Sequence, residues 1–120
     1  MAESTNPISN TIIKEIIKKS LFTERQIEII LNRLNIQKTD FSITKGAYYR
    51  QVDQSRNKLL GLYYSIILLR GLGVLIPEDI DVINKLSEQV SVIQNSDVFP
   101  EREDEIISVI EALVNHACRL

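Results

Sequence analysis

The sequence predicts an all-α protein of about five helices. Apolar residues recur at three- and four-residue spacing along most of the chain, and no segment shows the alternation typical of a strand. Residues that favour helix ends, such as Asn, Thr, Gly and Pro, separate these segments. With 120 residues, 44% of them hydrophobic, the chain has the size and composition of one folded domain.

The first helix is predicted to begin after Ser9 or Asn10, because either side chain can accept hydrogen bonds from the amides that open a helix. This helix has an apolar face and, on its other side, a basic face. The apolar face consists of Ile12, Ile13, Ile16 and Ile17, and the basic face of Lys14, Lys18 and Lys19.

The second helix is predicted to begin after Thr23, where Thr-Glu-Arg-Gln has the form of a capping box between Thr23 and Gln26. Asn35 is a plausible end, and residues 36–43 have no clear period and are predicted to be a connector. The stripe expected to be buried is Ile27, Ile30, Leu31 and Leu34.

The third helix is predicted to run from Thr44 or Lys45 to about Leu69, and Gly71 and Gly73 end it. Its second part continues into the run from Leu59 to Ile76, which is nearly long enough to span a membrane. Arg70 and the glycines interrupt that run, so we expect a buried core helix and no membrane partner.

Pro77 is suited to the first turn of a fourth helix, with Glu78 and Asp79 near its positive end. Ile83, Leu86, Val90 and Ile93 then repeat at three, four and three residues, which is typical of a helix-pairing seam. The segment "NSDVFPERED" breaks this pattern, and Pro100 begins the last helix. The apolar positions of that helix include Ile106, Ile110, Leu113 and Ala117.

Charge is distributed unevenly along the chain. Residues 1–76 carry a net charge of +5, whereas residues 77–120 carry −7. This asymmetry suggests two surfaces with different functions, although an acidic helical surface is often only solvated.

The start of the third helix has the residue types that contact a DNA major groove. On a helical wheel Tyr48, Val52 and Leu59 face the core, and Arg50, Gln51, Gln54, Asn57 and Lys58 gather on the opposite side. Arginine and glutamine can read base edges, and lysine can contact phosphate. A solvated polar face is the alternative interpretation. The predicted DNA-binding residues are Lys45, Ala47, Tyr49, Arg50, Gln51, Gln54, Arg56 and Lys58.

The stretch "FTERQIEIILNRLN" resembles a helix of sigma-factor region 4 and related helix-turn-helix regulators, in which a Leu-Thr-x-x-Gln opening precedes a similar apolar stripe. Thr23, Arg25 and Gln26 match that opening, and Phe22 stands in place of leucine. The resemblance covers about residues 20–60 and implies that Thr44–Lys58 is the recognition helix. The basic, tyrosine-rich start of a long apolar helix is also similar to small archaeal DNA-binding regulators.

One departure from the helix-turn-helix pattern is the linker Ile36–Ile43, which lacks glycine and is longer than the usual turn of three to four residues. Part of it is free to form an extra short turn. Residues 1–60 are interpreted as a helix-turn-helix DNA-binding part and residues 61–120 as a helical core and dimerisation part of one compact domain.

A dimer is expected because the third helix is apolar around most of its circumference and the chain offers few partners to cover it. Two-fold dimers also match paired half-sites in DNA. The residues predicted to form the dimer interface are Tyr63, Ile67, Ile83, Leu86, Val90 and Ile93.

Other chemistry has weak support in the sequence. His116 and Cys118 supply two of the roughly four ligands that a zinc site needs. No phosphate-binding glycine loop or nucleophile–base set is evident, so we expect no enzyme activity, cofactor, metal or small-molecule ligand. Helix-end effects explain the acidic cluster at Glu101, Glu103, Asp104 and Glu105.

The sequence therefore favours a cytoplasmic, homodimeric transcriptional regulator that binds double-stranded DNA. The single cysteine suits a reducing compartment, and no secretory signal is visible. The main alternative is a helical protein-interaction module whose acidic C-terminal half binds a basic partner. An enzyme subunit, a toxin–antitoxin component and a membrane-associated protein are further alternatives.

Overall fold

A computed structural model describes residues 10–94 and 100–120, and these residues form helices and no strand, which confirms the predicted all-α class. The extensive helix contacts join α2 to α3, α1 to α5 and α4 to α5. The five helices are α1 (Thr11–Lys19), α2 (Glu24–Arg33), α3 (Lys45–Gly71), α4 (Pro77–Ile93) and α5 (Pro100–Ala117).

Helix α1 begins at the predicted cap. The Asn10 side chain accepts a hydrogen bond from the Ile12 amide at 2.8 Å and donates one to the Ile93 carbonyl at 3.3 Å. Ser9, the other candidate cap, lies outside the described residues. Ile12 and Ile17 are buried, and α1 packs against α5. This contact crosses the predicted division of the chain at residue 60.

The capping box that opens α2 is confirmed, because Thr23 and Gln26 each accept a hydrogen bond from the other's backbone amide. The predicted buried stripe is only partly correct. Ile29 is the fully buried isoleucine of this helix, whereas Leu34 is 62% exposed. The difference arises because α2 turns Gln26 and Ile29 inward, and Leu34 lies beyond the last helical residue, Arg33.

Helix α2 ends as predicted next to Asn35, whose left-handed backbone (φ 58°) allows the Ile36 amide to bond the Leu31 carbonyl at 2.9 Å. The connector that follows, residues 34–44, contains no helical turn, so no extra turn forms within Ile36–Ile43. The distance along the chain between α2 and α3 is therefore longer than in a compact helix-turn-helix.

Helix α3 has 27 residues and is therefore about 40 Å long. Gly73 adopts φ 81° just beyond its end, where the Val74 amide bonds the Leu69 carbonyl at 2.8 Å. The prediction that the second part of this helix is core is wrong for the single chain. Tyr64 is 71% exposed and Ile67 68% exposed, because the helix packed extensively against α3 is α2, which contacts its first part.

Helices α4 and α5 pack against each other and use part of the predicted pairing seam. Leu86 and Ile93 line a groove shared with Ile106 and Ile110 of α5. Ile93 is 6% exposed, so it has no surface left for a second copy, and its predicted place in a dimer interface is corrected accordingly. Ile83 remains exposed, and Val90 is half-buried.

The C-terminal end of the chain is fastened to the turn between α3 and α4. The Arg119 guanidinium bonds the Asp79 carboxylate at 3.1 Å and the Val74 carbonyl at 2.7 Å. The backbone amide of Ile76 also donates to Asp79 at 3.0 Å, and this bond, together with Arg119, lowers the pKa of Asp79 below its ordinary value. Within residues 10–94 and 100–120, no helix combines the length and apolar content needed to cross a bilayer.

Candidate nucleic-acid interface

The candidate interface is the first part of α3, where a polar surface is turned away from α2. Thr44 caps the helix by accepting a hydrogen bond from the Ala47 amide at 3.1 Å. Asp53 and Asn57 are exposed on this surface with the predicted residues. Of the predicted set, Lys45, Tyr49, Arg50, Gln54 and Arg56 are exposed, and Ala47 and Gln51 are partly exposed.

Tyr48 fixes the start of α3 to α2 and to the connector. Its hydroxyl donates to the Asn32 side-chain oxygen at 3.0 Å, and its ring lies 5.5 Å from the ring of Phe41. The Asn32 amide group donates in turn to the Thr39 carbonyl at 3.4 Å. The core-facing position predicted for Tyr48 therefore agrees with the structure. The contacts at Phe41 and Thr39 also hold the connector against the two helices.

Lys58 occupies a different position from the one predicted. Its ammonium group donates to the Leu21 carbonyl at 2.7 Å and to the Gln26 side-chain oxygen at 2.8 Å. The side chain is only half-exposed and passes over the ring of Phe22. Because two hydrogen bonds direct this charge towards α2, Lys58 is not part of the outward-facing surface.

Gln26 is the buried polar group on which this end of the site depends. Its side-chain oxygen accepts from the Thr23 amide at 3.0 Å as well as from Lys58, and the residue is only 5% exposed. The capping pattern in the sequence identifies the first bond. The second bond joins residues 32 positions apart, so no local pattern could have shown it.

Two arginines from different helices border the contact between α2 and α3. Arg33 and Arg56 line the same open crevice of about 250 Å³, whose floor includes Ile29, Val52 and Ser55. Neither arginine forms a salt bridge within the described residues. Arg33 was not in the predicted set, although it belongs to the same basic stretch of sequence. Both charges remain available to an anionic partner.

Helix α2 contributes one further positive group, which lies against the connector. The guanidinium of Arg25 lies 5.5 Å from the centre of the Phe41 ring and 3.5 Å from a carboxylate oxygen of Glu28. Since Arg25 is occupied by these contacts, it is better placed to fix Phe41 than to contact a ligand. The described residues hold no group of three His, Cys, Asp or Glu side chains that could bind a metal ion.

The predicted dimerisation residues separate into two groups. Tyr63 and Ile67 on α3 are 63% and 68% exposed, and Ile83 on α4 is 48% exposed. Leu86, Val90 and Ile93 are half-buried or buried and lie on the helix that packs against α5. The exposed apolar surface is thus concentrated on α3, on the same helix as the polar surface.

Comparison of the chain with family models, curated proteins and solved structures finds no match.

Proposed function

We propose that the chain binds double-stranded DNA through the first part of α3 and acts as a sequence-specific transcriptional regulator. The observation that carries this proposal is the exposure of Arg50 and Gln54 on a helix that Tyr48 and Lys58 fasten to α2. A fixed helix matters because base readout requires side chains held in one register against the groove.

The chemistry of the surface supports a division of roles. Arg50, Gln51 and Gln54 offer the guanidinium and carboxamide groups that pair with guanine and adenine edges. Lys45 and Arg56 lie on the flank of the same helix, and Arg33 adds a charge from α2, so these three suit phosphate contacts. Tyr49 is exposed beside them and can donate its hydroxyl to a phosphate.

The single acid on this surface, Asp53, opposes non-specific binding to phosphate but can accept a hydrogen bond from the amino group of cytosine. The small side chain of Ala47 leaves room for close approach at the start of the helix. The acidic residues 77–120 are expected to stay away from DNA, since their net charge of −7 repels phosphate.

The test is binding to random-sequence duplexes over a range of salt concentrations, followed by selection of bound genomic fragments. We expect affinity to fall steeply with salt and the selected fragments to share a motif. An absence of binding at low salt would remove the proposal.

The second candidate is a helical protein-interaction module. It is favoured by the exposed acids at the start of α5, which include Glu101, Asp104 and Glu105, and by the negative charge of this half of the chain. A basic partner that binds this surface, with no measurable affinity for duplex DNA, would make it the better interpretation.

A further inference from the structure

The outward face of α3 changes from polar to apolar at Leu60. Before this residue the face carries Tyr49, Arg50 and Arg56, and after it come Tyr63, Tyr64, Ile67 and Leu68. These four side chains are 63%, 71%, 68% and 58% exposed. The same helix therefore presents two surfaces of opposite chemistry in succession.

The apolar surface is large enough for a stable interface. If a large side chain offers ~200 Å² when fully exposed, these four residues with Leu60 and Leu72 present roughly 700 Å². The largest apolar patch on an ordinary monomer is about 300–600 Å². A partner in a standard interface contributes about 800 Å², so one occupant of similar size would cover most of the patch.

We propose that this surface pairs with the same surface of a second copy of the chain, and that the two α3 helices run antiparallel. The face has no charge between Leu59 and Leu69, so an identical apolar face is complementary to it. The proposal deepens the DNA-binding function, because it fixes where the two recognition surfaces lie relative to each other.

The sizes of the side chains along the face favour the antiparallel direction. Leu60, Tyr64, Ile67 and Gly71 follow at spacings of four, three and four residues and form one seam. In an antiparallel pair Leu60 lies opposite Gly71 of the second copy, and Tyr64 opposite its Ile67. A parallel pair would place Gly71 against Gly71 and leave a gap. A Cβ atom at Gly71 would meet nothing within 4 Å in the single chain.

Charge favours the same direction. Helix residues 45–58 carry Lys45, Arg50, Arg56 and Lys58 against one acid, Asp53. A parallel pair would bring these positive ends within the ~10 Å that separates packed helix axes. An antiparallel pair moves them to opposite ends of the dimer, where the repulsion is screened by salt.

The resulting distance suits duplex DNA. The recognition residues around Arg50 and Gln54 lie about 14 residues from the centre of the seam, which is roughly 20 Å along the helix. Two copies would therefore hold their recognition surfaces about 40 Å apart, close to the ~34–36 Å between half-sites one helical turn apart.

Disulfide trapping tests the direction of pairing. The natural thiol is removed with Cys118→Ser, and Leu60→Cys and Gly71→Cys are made separately in that background. Mixing the two variants under oxidising conditions should give a covalent dimer, whereas neither should cross-link alone. In the antiparallel pair identical positions lie about 16 Å apart, beyond the ~7 Å that a disulfide tolerates. Cross-linking of either variant alone, or none in the mixture, would overturn the proposal.

The mass of the protein tests the surface itself. Light scattering should give a dimer for the natural chain and a monomer for Ile67→Glu. Ile36→Glu is a matched control, since Ile36 is 66% exposed and Ile67 is 68% exposed, and it should remain dimeric. A monomeric natural chain, or a dimer that survives Ile67→Glu, would overturn the proposal, and circular dichroism verifies that each variant is helical.

A DNA measurement separates this proposal from the DNA-binding function. Ile67→Glu should lose about 100-fold in affinity for a duplex with two half-sites one turn apart, because avidity is lost, but keep its affinity for a single half-site. Cross-linked dimers that bind no DNA would overturn the DNA-binding function and leave the pairing intact. A natural chain that is monomeric and binds single half-sites would overturn the pairing and leave the DNA-binding function intact.

Discussion

The ammonium group of Lys58 donates to the buried side-chain oxygen of Gln26 at 2.8 Å, and this bond joins the middle of α3 to the first turn of α2. A second bond from Lys58 to the Leu21 carbonyl strengthens the same junction. The group that sequence charge would assign to a DNA phosphate thus holds the candidate recognition helix in position.

The first prediction concerns this junction. Lys58→Met keeps the aliphatic stem but removes both hydrogen bonds, and it should lower the free energy of unfolding by about 1–2 kcal/mol. Denaturation in urea at fixed protein concentration measures the change. Lys45→Met on the exposed start of α3 is the control, and it should reduce DNA affinity with a stability change within about 0.5 kcal/mol. If Lys58→Met instead reduced DNA affinity without lowering stability, Lys58 would be a phosphate-contacting residue.

The second prediction separates base readout from phosphate contact. Arg50→Ala should weaken binding to the preferred site by about 1–3 kcal/mol and relax the preference at one base pair. Arg56→Ala should weaken all duplexes about equally and reduce the slope of affinity against salt by about one unit. Fluorescence anisotropy with matched and mismatched duplexes measures both. If neither change affects affinity in a folded protein, the α3 surface is only a solvated face.

The third prediction uses the two adjacent tyrosines. Tyr48→Phe removes the hydroxyl that donates to Asn32 and should lower the free energy of unfolding by about 1 kcal/mol. Tyr48→Ala should lower thermal stability further, because the ring packed against Phe41 is lost as well. Tyr49→Phe is the control, since Tyr49 is 47% exposed, and it should leave the melting temperature unchanged. Equal melting temperatures for Tyr48→Phe and the natural protein would argue against the anchoring role.

The fourth prediction concerns pH. The Ile76 amide and the Arg119 guanidinium lower the pKa of Asp79 from its ordinary value of 3.8, so folding favours the charged carboxylate. Its contribution to stability is therefore present above about pH 3.8 and is lost as the pH falls through the lower pKa of the folded state. Asp79→Asn should melt at a lower temperature than the natural protein at pH 7.

The difference between Asp79→Asn and the natural protein should shrink as the pH falls below about 3.8, because the carboxylate of the unfolded chain takes up a proton there and that of the folded protein does so only at a lower pH. Thermal melts at pH 7, 5 and 3 measure it. Asp81→Asn, on the exposed side of the same helix, should melt like the natural protein at each pH. A constant difference between Asp79→Asn and the natural protein across this range would show that the charge does not matter.

The sequence by itself determined where the helices begin and where α2 and α3 end. The side chains of Asn10 and Thr23 accept hydrogen bonds from amides two or three residues later, and Pro77 fixes its own backbone in a helical conformation. Each effect is local and can therefore be predicted from neighbouring residues. The left-handed Asn35 and Gly73 end α2 and α3 for the same local reason. The outward position of Arg50 and Gln54 also follows from helical periodicity alone.

Only the tertiary structure decided which surfaces are covered. A helical wheel shows that Lys58 lies beside a polar face, but its partner Gln26 is 32 residues away. Hydrophobicity shows that burial of Tyr64 and Ile67 is favourable, but burial requires a neighbouring element within reach. The hydrogen bonds between α2 and α3 lie at Tyr48 and Lys58, in the first part of α3, and Tyr64 and Ile67 remain exposed. Ile93 illustrates the opposite case, since α5 and Asn10 lie against α4 and cover a residue that its seam position alone would leave for a partner.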